Sequence, residues 1–547
     1  MITTIVCFIR INCVIWFSNP SGFYDSSFPL AIKGGGIFDI YYTLDGSEPT
    51  RESSLYHPGS AIIISDASEC DNVLSKRTDI STGYGEYISS PSDFAVPDQK
   101  VDKCTIVRAA AISKRGTVIS SIQSVYFVGF QNKPEYQDIS VVSIYAEEDD
   151  LFGYESGILV AGKTFDDYVQ ASLDDSGKFN PKEWYAPYYW WWPANYRNEG
   201  QEWERKAQIT VFDPQREIVL NQQCGIRIHG GGSRGYPCRS IRCIAREEYA
   251  GNNTFFVNWF GENITPQKFV LYSGGDDYRF KLKDYLGQTF AESLNVATQK
   301  CKPCCLFING EYWGFYFLTE NYNKNYISDH YGVKDSNVIM VKNGSLKEGN
   351  ESDMQHYLDM KDFISLNDMS VAKNYQEACE LIDVNSYIDY YAFQIYIGRN
   401  NDWPKNNYAL WRTQKSESVP YGDCKWRWML FDLNSGGMSN VTLQEDTLTY
   451  VLENDSVFAS LWNSPEFRHS FLERIHYIGS TLLSADNCTA FIDDYCTSFQ
   501  APIELHNLRF YNSKNEEAYT TYVENMRTFF TNRYSVVQQF LSDHADQ

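Results

Sequence analysis

The sequence predicts a multidomain protein with an N-terminal all-β, immunoglobulin-like sandwich followed by an α+β domain. Three observations carry that prediction. At 547 residues the chain is longer than one ordinary domain. Residues 14–129 read as β-strands throughout, punctuated by Asp-Gly and Arg-Gly turns. From residue 143 onward, strand-like runs are interleaved with segments whose apolar residues recur every three or four positions.

The first region opens on "MITTIVCFIRINCVIWF", which is apolar but interrupted by Arg10 and lacks both a basic start and a small-residue cleavage site. It reads as a first β-strand rather than a signal peptide. "FDIYYTLDGSEPT" is a strand running into a turn at Asp45-Gly46, and "CTIVRAAAISKRGTVISSIQSVYFVGF" is two strands around Arg115-Gly116. Between them, residues 66–104 are rich in Ser, Asp and Gly and read as a loop insertion. The span 14–130 fits a small β-sandwich. "QNKPEYQDIS" has the polarity and proline of a linker, placed at 131–142.

Composition narrows the function. A net charge of −23 with no run of Lys or Arg speaks against a nucleic-acid partner. An acidic surface suits divalent cations instead. No stretch reaches 18 consecutive apolar residues, so no membrane span is expected. "CKPCC" contains Cys301, Cys304 and Cys305 in a C-x-x-C spacing, yet it runs into a β-hairpin turning at Asn309-Gly310. A redox site needs that spacing at a helix start, and no second C-x-x-C completes a zinc site. Buried free thiols or an incidental disulfide are the expectation.

The second domain spans 143–541. "VVSIYAEEDDLFG" and "AQITVFDPQREIVLNQQCGIRIHGGG" alternate as strands of a mixed sheet. "RFKLKDYLGQTFAESLN" is helical, with Leu282, Leu286 and Phe290 on one face. Asp383 is placed to cap a helix over "VNSYIDYYAFQIYIGRNND". The tail "TTYVENMRTFFTNRYSVVQQFLSDH" reads as an amphipathic helix pair, and "YAPYYWWWPANY" as a packed insertion rather than a sugar platform.

"HGGGSRGYPCRS" formally contains G-x-S-x-G, but strands flank it on both sides, which excludes a nucleophile elbow. Two readings stay open. Gly231, Gly232, Ser233 and Arg234 form a glycine-rich loop that approaches phosphate oxygens, or a wide hairpin that needs positive φ. In "NNDWPKNNYALW", Asp402 and Asn407 stand five residues apart after a helix. "KWRWMLFDLNSGG" is an apolar strand ending at Asp432 and opening into glycines. Phosphoryl transfer asks for these parts: a carboxylate on the acceptor hydroxyl, an amide and a carboxylate on metal.

In their order these motifs resemble the CotH kinase family, the spore-coat protein H relatives with an atypical protein-kinase-like fold. The resemblance also runs through "NYRNEGQEWERKAQITVFD", "FVLYSGGDDYRFKLKD", "FINGEYWGFYFLTENYNKNYI" and "NVIMVKNG". It implies transfer of the ATP γ-phosphate, with Mg²⁺ or Mn²⁺, to Ser/Thr hydroxyls of surface, coat or secreted proteins. Asp402 would orient the acceptor, Asn407 and Asp432 would bind metal, and Glu320 would order a cationic partner. Where the family places a lysine, this chain reads Cys238-Arg239, so phosphate binding passes to Arg239, Arg242 or Lys342. Where the family has Asp-Leu-Asp, this chain has Asp432-Leu433-Asn434. These departures leave an alternative: an inactive kinase-like structural or surface-interaction protein, carbohydrate-associated. The first region resembles the chitobiase C-terminal-type domain through Tyr41, Thr43, Asp45, Gly46, Ser47, Pro49 and Thr50. That implies a spacer and an extracellular or cell-surface setting, with a Ser/Thr-rich protein substrate in a polysaccharide context.

Overall fold

The computed structural model describes residues 14–88 and 93–544, so the opening residues 1–13 of the expected first strand lie outside it. The N-terminal region is β-rich. Its strands are β1 (Ile15–Phe17), β2 (Gly22–Tyr24), β3 (Phe28–Leu30), β4 (Ile32–Gly34), β5 (Asp39–Thr43), β6 (Ser54–Leu55), β7 (Ile62–Ile64), β8 (Thr105–Ile112) and β9 (Val118–Val128). A five-stranded sheet in the order β2-β9-β8-β5-β6 is joined by the pairs β1-β4 and β3-β7. On β8, Val107, Ala109 and Ala111 enter this region's own core. On the opposite face, Ile106, Val125 and Phe127 join the core of the following domain. The Phe127 ring lies 5.0 Å from that of Phe307.

The second domain begins with a closed barrel. Its strands are β10 (Ser140–Tyr145), β11 (Arg205–Phe212), β12 (Ile218–His229), β13 (Ser240–Ile244), β14 (Lys268–Tyr272), β15 (Cys301–Ile308) and β16 (Glu311–Glu320), in the order β10-β11-β12-β13-β14-β16-β15. Neighbours are antiparallel except β10 and β15, whose parallel pairing closes the ring. Period-two alternation sends Ile226, Ile228, Ile241, Cys243, Phe269 and Leu271 into the barrel. The β15–β16 hairpin turns at Asn309 and Gly310, with φ of 44° and 88°. Cys304 and Cys305 are buried free thiols on β15.

Two stretches behave differently from a loop and a linker. Within 66–104, the described residues 66–88 and 93–104 are a strap that crosses from the β-rich region onto the barrel. Glu311 accepts the backbone N–H of Val73 at 2.6 Å and of Ser75 at 2.8 Å. Ser81 donates to Gly235 O at 2.7 Å, and Leu74, Ile80 and Phe94 pack into the barrel-side core. Within 131–142, Tyr136 and Ile139 are buried and the last three residues already form β10, so this stretch is packed chain.

Below the barrel lies a sheet of β17 (Val338–Lys342), β18 (Ser345–Glu348), β19 (Ala409–Thr413) and β20 (Arg427–Met429), in the order β18-β17-β19-β20. Helices surround it. Val384–Tyr396 is buried from Ser386 onward and is capped by Asp383, which accepts from Ser386 N at 3.2 Å. The tail is one helix, Glu516–His544, rather than a pair, because nothing in it breaks a helix: it contains neither Gly nor Pro. It packs along the helix Ala485–Tyr511.

Candidate active site

The register of the lower sheet brings the sequence-predicted residues to one rim. Lys342 ends β17 opposite Ala409, and Ala409 in turn opposes Met429 of β20. Asn407 precedes Ala409 by two residues and Asp432 follows Met429 by three, so antiparallel pairing places Lys342, Asn407 and Asp432 at the same end. Both Asn407 and Asp432 have positive φ, 55° and 60°, in the left-handed region that Asn and Asp tolerate best among side-chain-bearing residues.

Asp402 is held from two sides. Asn407 Nδ2 donates to its Oδ2 at 2.6 Å, and the fully buried Arg399 places Nη2 3.6 Å from Oδ1. That Oδ1 has no hydrogen-bond partner, so a buried acceptor is left available beside the rim. The loop bearing Asp402 is tied to the glycines after Asp432. Asn401 donates to Ser435 Oγ at 2.8 Å, Met438 N donates to Ile397 O at 2.8 Å, and a Cβ at Gly436 would stand 2.8 Å from Asn401.

Around Asp432 the structure assembles a cluster the sequence did not announce. Asn434 Nδ2 lies 2.6 Å from Asp432 Oδ1, 3.0 Å from Asp284 Oδ2 and 2.8 Å from the Tyr272 hydroxyl. Tyr272 donates to Asp284, and Leu433 N donates to Asp284 Oδ1 at 2.7 Å. Burial, then the charge of Asp432, pushes the Asp284 carboxyl up to about 6. Asp284 closes the quoted motif "FVLYSGGDDYRFKLKD", yet nothing in its local pattern marked it. Gly275, at φ 58°, is required here, since a Cβ would stand 2.7 Å from the Asn434 side chain.

Lys342 faces this cluster, and Arg242 lies beside Lys342. Lys342 Nζ sits 3.9 Å from the centroid of the Phe431 ring; burial lowers its pKa, and the charge of Asp432 opposes that shift. Arg242 projects from the outer face of β13, with Nη2 2.5 Å from His229 Nδ1 and Nε without a partner. Burial, then the guanidinium of Arg242, drives His229 well below its ordinary pKa, so the ring is neutral and accepts from Arg242. Burial also lowers Arg242 to about 10. A half-buried arginine and lysine, neither in an ion pair among the described residues, form a site prepared for an anion.

Arg239 is elsewhere. Its guanidinium is fully buried, donates to Leu159 O at 2.8 Å, to Ile80 O and to Arg234 O at 2.9 Å, and stacks on Tyr196 at 4.1 Å. Strand parity explains this: Arg239 shares the inward face with Ile241 and Cys243, whereas Arg242 points outward. The glycine-rich loop is a short 3₁₀ turn, Gly232–Gly235. Gly231 and Gly232 lie under Trp191, and a Cβ at Gly235 would strike the Trp190 backbone at 2.4 Å, so the aromatic insertion packs on this loop. Arg234 folds back onto Gly230 O at 2.7 Å and pairs with Glu199 at 3.1 Å. Ser233 lies within the turn. Tyr236 then donates to Asp276 at 3.1 Å, and Asp276 N donates to Asn434 Oδ1 at 2.9 Å, linking loop and cluster. Glu320 ends β16 with His330 Nε2 2.6 Å from its Oε1 and Lys300 N donating at 2.9 Å, so its side-chain partner is that histidine.

The oxygens around Asp432 come from two carboxylates, Asp432 and Asp284, and Asn434 turns its amide nitrogen toward both. Among the described residues no three His, Cys, Asp or Glu side chains converge. Such a sparse, hard set suits Mg²⁺ or Mn²⁺, which take few protein ligands and complete their shells with water and phosphate. Among the described residues, no helix is long and apolar enough to cross a membrane.

No curated protein matches the chain. A family model described as Fn3 associated matches residues 31–126, within the β-rich N-terminal region. A second, described as CotH kinase protein, matches residues 226–537 and covers β13 to β20, the rim and the helices that carry it. The chain belongs to the CotH kinase protein family.

Proposed function

We propose that this protein is an atypical protein kinase that transfers the γ-phosphate of ATP to Ser/Thr hydroxyls of protein substrates. The observation that carries the reading is Lys342, within the field of Asp432 and beside Arg242, with Asn434 bridging Asp432 to Asp284 and Asp402 on the same rim. In a chain of net charge −23, two adjacent half-buried cations are costly unless an anion completes them.

In this reading Arg242 and Lys342 bind the phosphates, and His229 aims Arg242. Asp432 and Asp284 hold Mg²⁺ or Mn²⁺, with Asn407 and Asn434 beside them; the metal, when bound, neutralises phosphate charge. Asp402 receives the acceptor hydroxyl through its free Oδ1 and takes its proton as the new O–P bond forms and ADP leaves. Arg399 helps orient Asp402. The kinase-like lobes, the sandwich and chitobiase-type character of the N-terminal region, and a surface location belong to the same proposal; the Fn3-associated match at residues 31–126 supports only a separate N-terminal module.

The test is phosphate transfer from ATP with Mg²⁺ or Mn²⁺ to a Ser-rich polypeptide. Transfer abolished by Asp402→Asn and by Asp432→Ala supports the assignment. No transfer and no ATP-induced thermal shift refute it. Asn434 favours a second reading, a non-catalytic kinase-like protein, because an amide stands where the family carries a carboxylate. A nucleotide-induced shift without transfer selects that reading.

A further inference from the structure

A cavity of about 270 Å³ opens beside the Asp402 loop and takes no part in the site described above. Its floor is aromatic: Tyr357, Tyr387, Tyr391 and Trp428, all buried. Its rim carries Lys361, on the helix Met354–Leu366, and Lys405, three residues after Asp402. Lys361 approaches only the Tyr357 ring, at 5.5 Å, and neither lysine has a carboxylate within ion-pair distance among the described residues. The one carboxylate in the wall, Asp455, is already occupied. Its Oδ1 accepts the N–H groups of Val457 at 2.9 Å and Phe458 at 3.0 Å, and its Oδ2 accepts the Tyr391 hydroxyl at 2.6 Å.

We propose that this cavity binds an anionic side chain, carboxylate or phosphate, of the acceptor polypeptide, and so selects acidic or already phosphorylated acceptors. The inference rests on the kinase reading for the identity of its ligand, but not for the site itself. Charge decides the class. A neutral side chain would leave the two rim lysines without a counter-charge, and a cation would be repelled by them. Position decides the source. The loop that orients the acceptor hydroxyl at Asp402 also supplies Pro404 and Lys405 to the cavity, so an occupant anchored there presents its neighbouring hydroxyl to that carboxylate. The aromatic floor accepts the methylene body while the rim holds the charged tip.

Binding is measured by fluorescence anisotropy, without nucleotide, for three Ser-rich peptides that differ at one position: phosphoserine, glutamate or glutamine. The anionic peptides are expected to bind about tenfold more tightly than the glutamine peptide. That preference should vanish in the Lys361→Glu/Lys405→Glu double variant, whose ATP-induced thermal shift stays at the wild-type value. Competition by millimolar inorganic phosphate against the phosphoserine peptide alone identifies phosphate as the preferred tip; no such competition identifies the carboxylate as equally good. Equal affinity for all three peptides overturns the proposal, as does a preference that survives the double variant. Selective binding without transfer keeps the cavity and sinks the kinase reading; transfer without selectivity does the reverse.

Discussion

The side-chain amide of Asn434 donates to Asp432 Oδ1 across 2.6 Å, so the carboxylate proposed to bind metal already carries a hydrogen bond from its own loop. The same amide reaches Asp284, and a neutral group therefore separates two buried acids. Asn434→Asp removes that separation. Three carboxylates would then share one pocket, and the metal-free protein should lose about 2 kcal/mol, read as a lower melting temperature. Mn²⁺ should restore the loss and bind more tightly than in wild type. An unchanged melting temperature would show that Asn434 is not the spacer between the acids.

Arg242 and Arg239 make opposite predictions although they stand only three positions apart. Arg239 neutralises nothing but satisfies three buried carbonyls. Arg239→Ala should cost about 3–5 kcal/mol and prevent soluble expression or lower the melting point sharply. Arg242→Gln removes a cation that has no carboxylate partner, so the fold should hold while ATP affinity falls about tenfold or more. Isothermal titration with ATP and a thermal melt separate the two effects. A strong stability loss in Arg242→Gln would move Arg242 into the structural class.

The raised Asp284 carboxyl sets a pH dependence. Its folded value of about 6 lies above its ordinary carboxylate value, so between the two the folded state holds a proton that the unfolded state has released. Metal-free stability should therefore decline as pH rises toward 6 and be level above it. Metal requires the ionised form, so the thermal shift produced by Mg²⁺ should grow from pH 5 to pH 7. In Asp284→Asn both trends should disappear.

Glu311 anchors the strap through two backbone N–H groups from one carboxylate. Glu311→Gln replaces one acceptor by a donor, which should cost about 1.5–3 kcal/mol locally. Limited proteolysis should then cut within residues 70–88 at protease levels that leave the wild type intact. Equal resistance would place the strap's anchor elsewhere.

Local rules made much of this legible. The Asn309-Gly310 turn, the Asp383 cap and the Asp402–Asn407 spacing are each written within a dozen residues, and backbone preference alone specifies them. The barrel's closure is not local: β10 meets β15 across 164 positions, Ser140 opposite Cys304, and nothing periodic announces such a pairing. Asp284 and Tyr272 escaped notice for the same reason, since their roles exist only once Asn434 arrives from a distant loop. Arg242 was within reach. Ile241 and Cys243 are the apolar partners of an alternating strand, and that parity sends Arg242 outward and Arg239 inward.

The closed ring has one more consequence, for how this protein can be divided. The stretch matched by the CotH kinase model begins at residue 226, inside β12. An expression boundary drawn there would remove two of seven staves, β10 and β11, and split a third. Ile241, Phe269 and Leu318 would then face solvent where Val142 and Ile209 now cover them. The part recognisable by descent is smaller than the part that can stand alone, and the smallest autonomous folding unit must reach back through the strap.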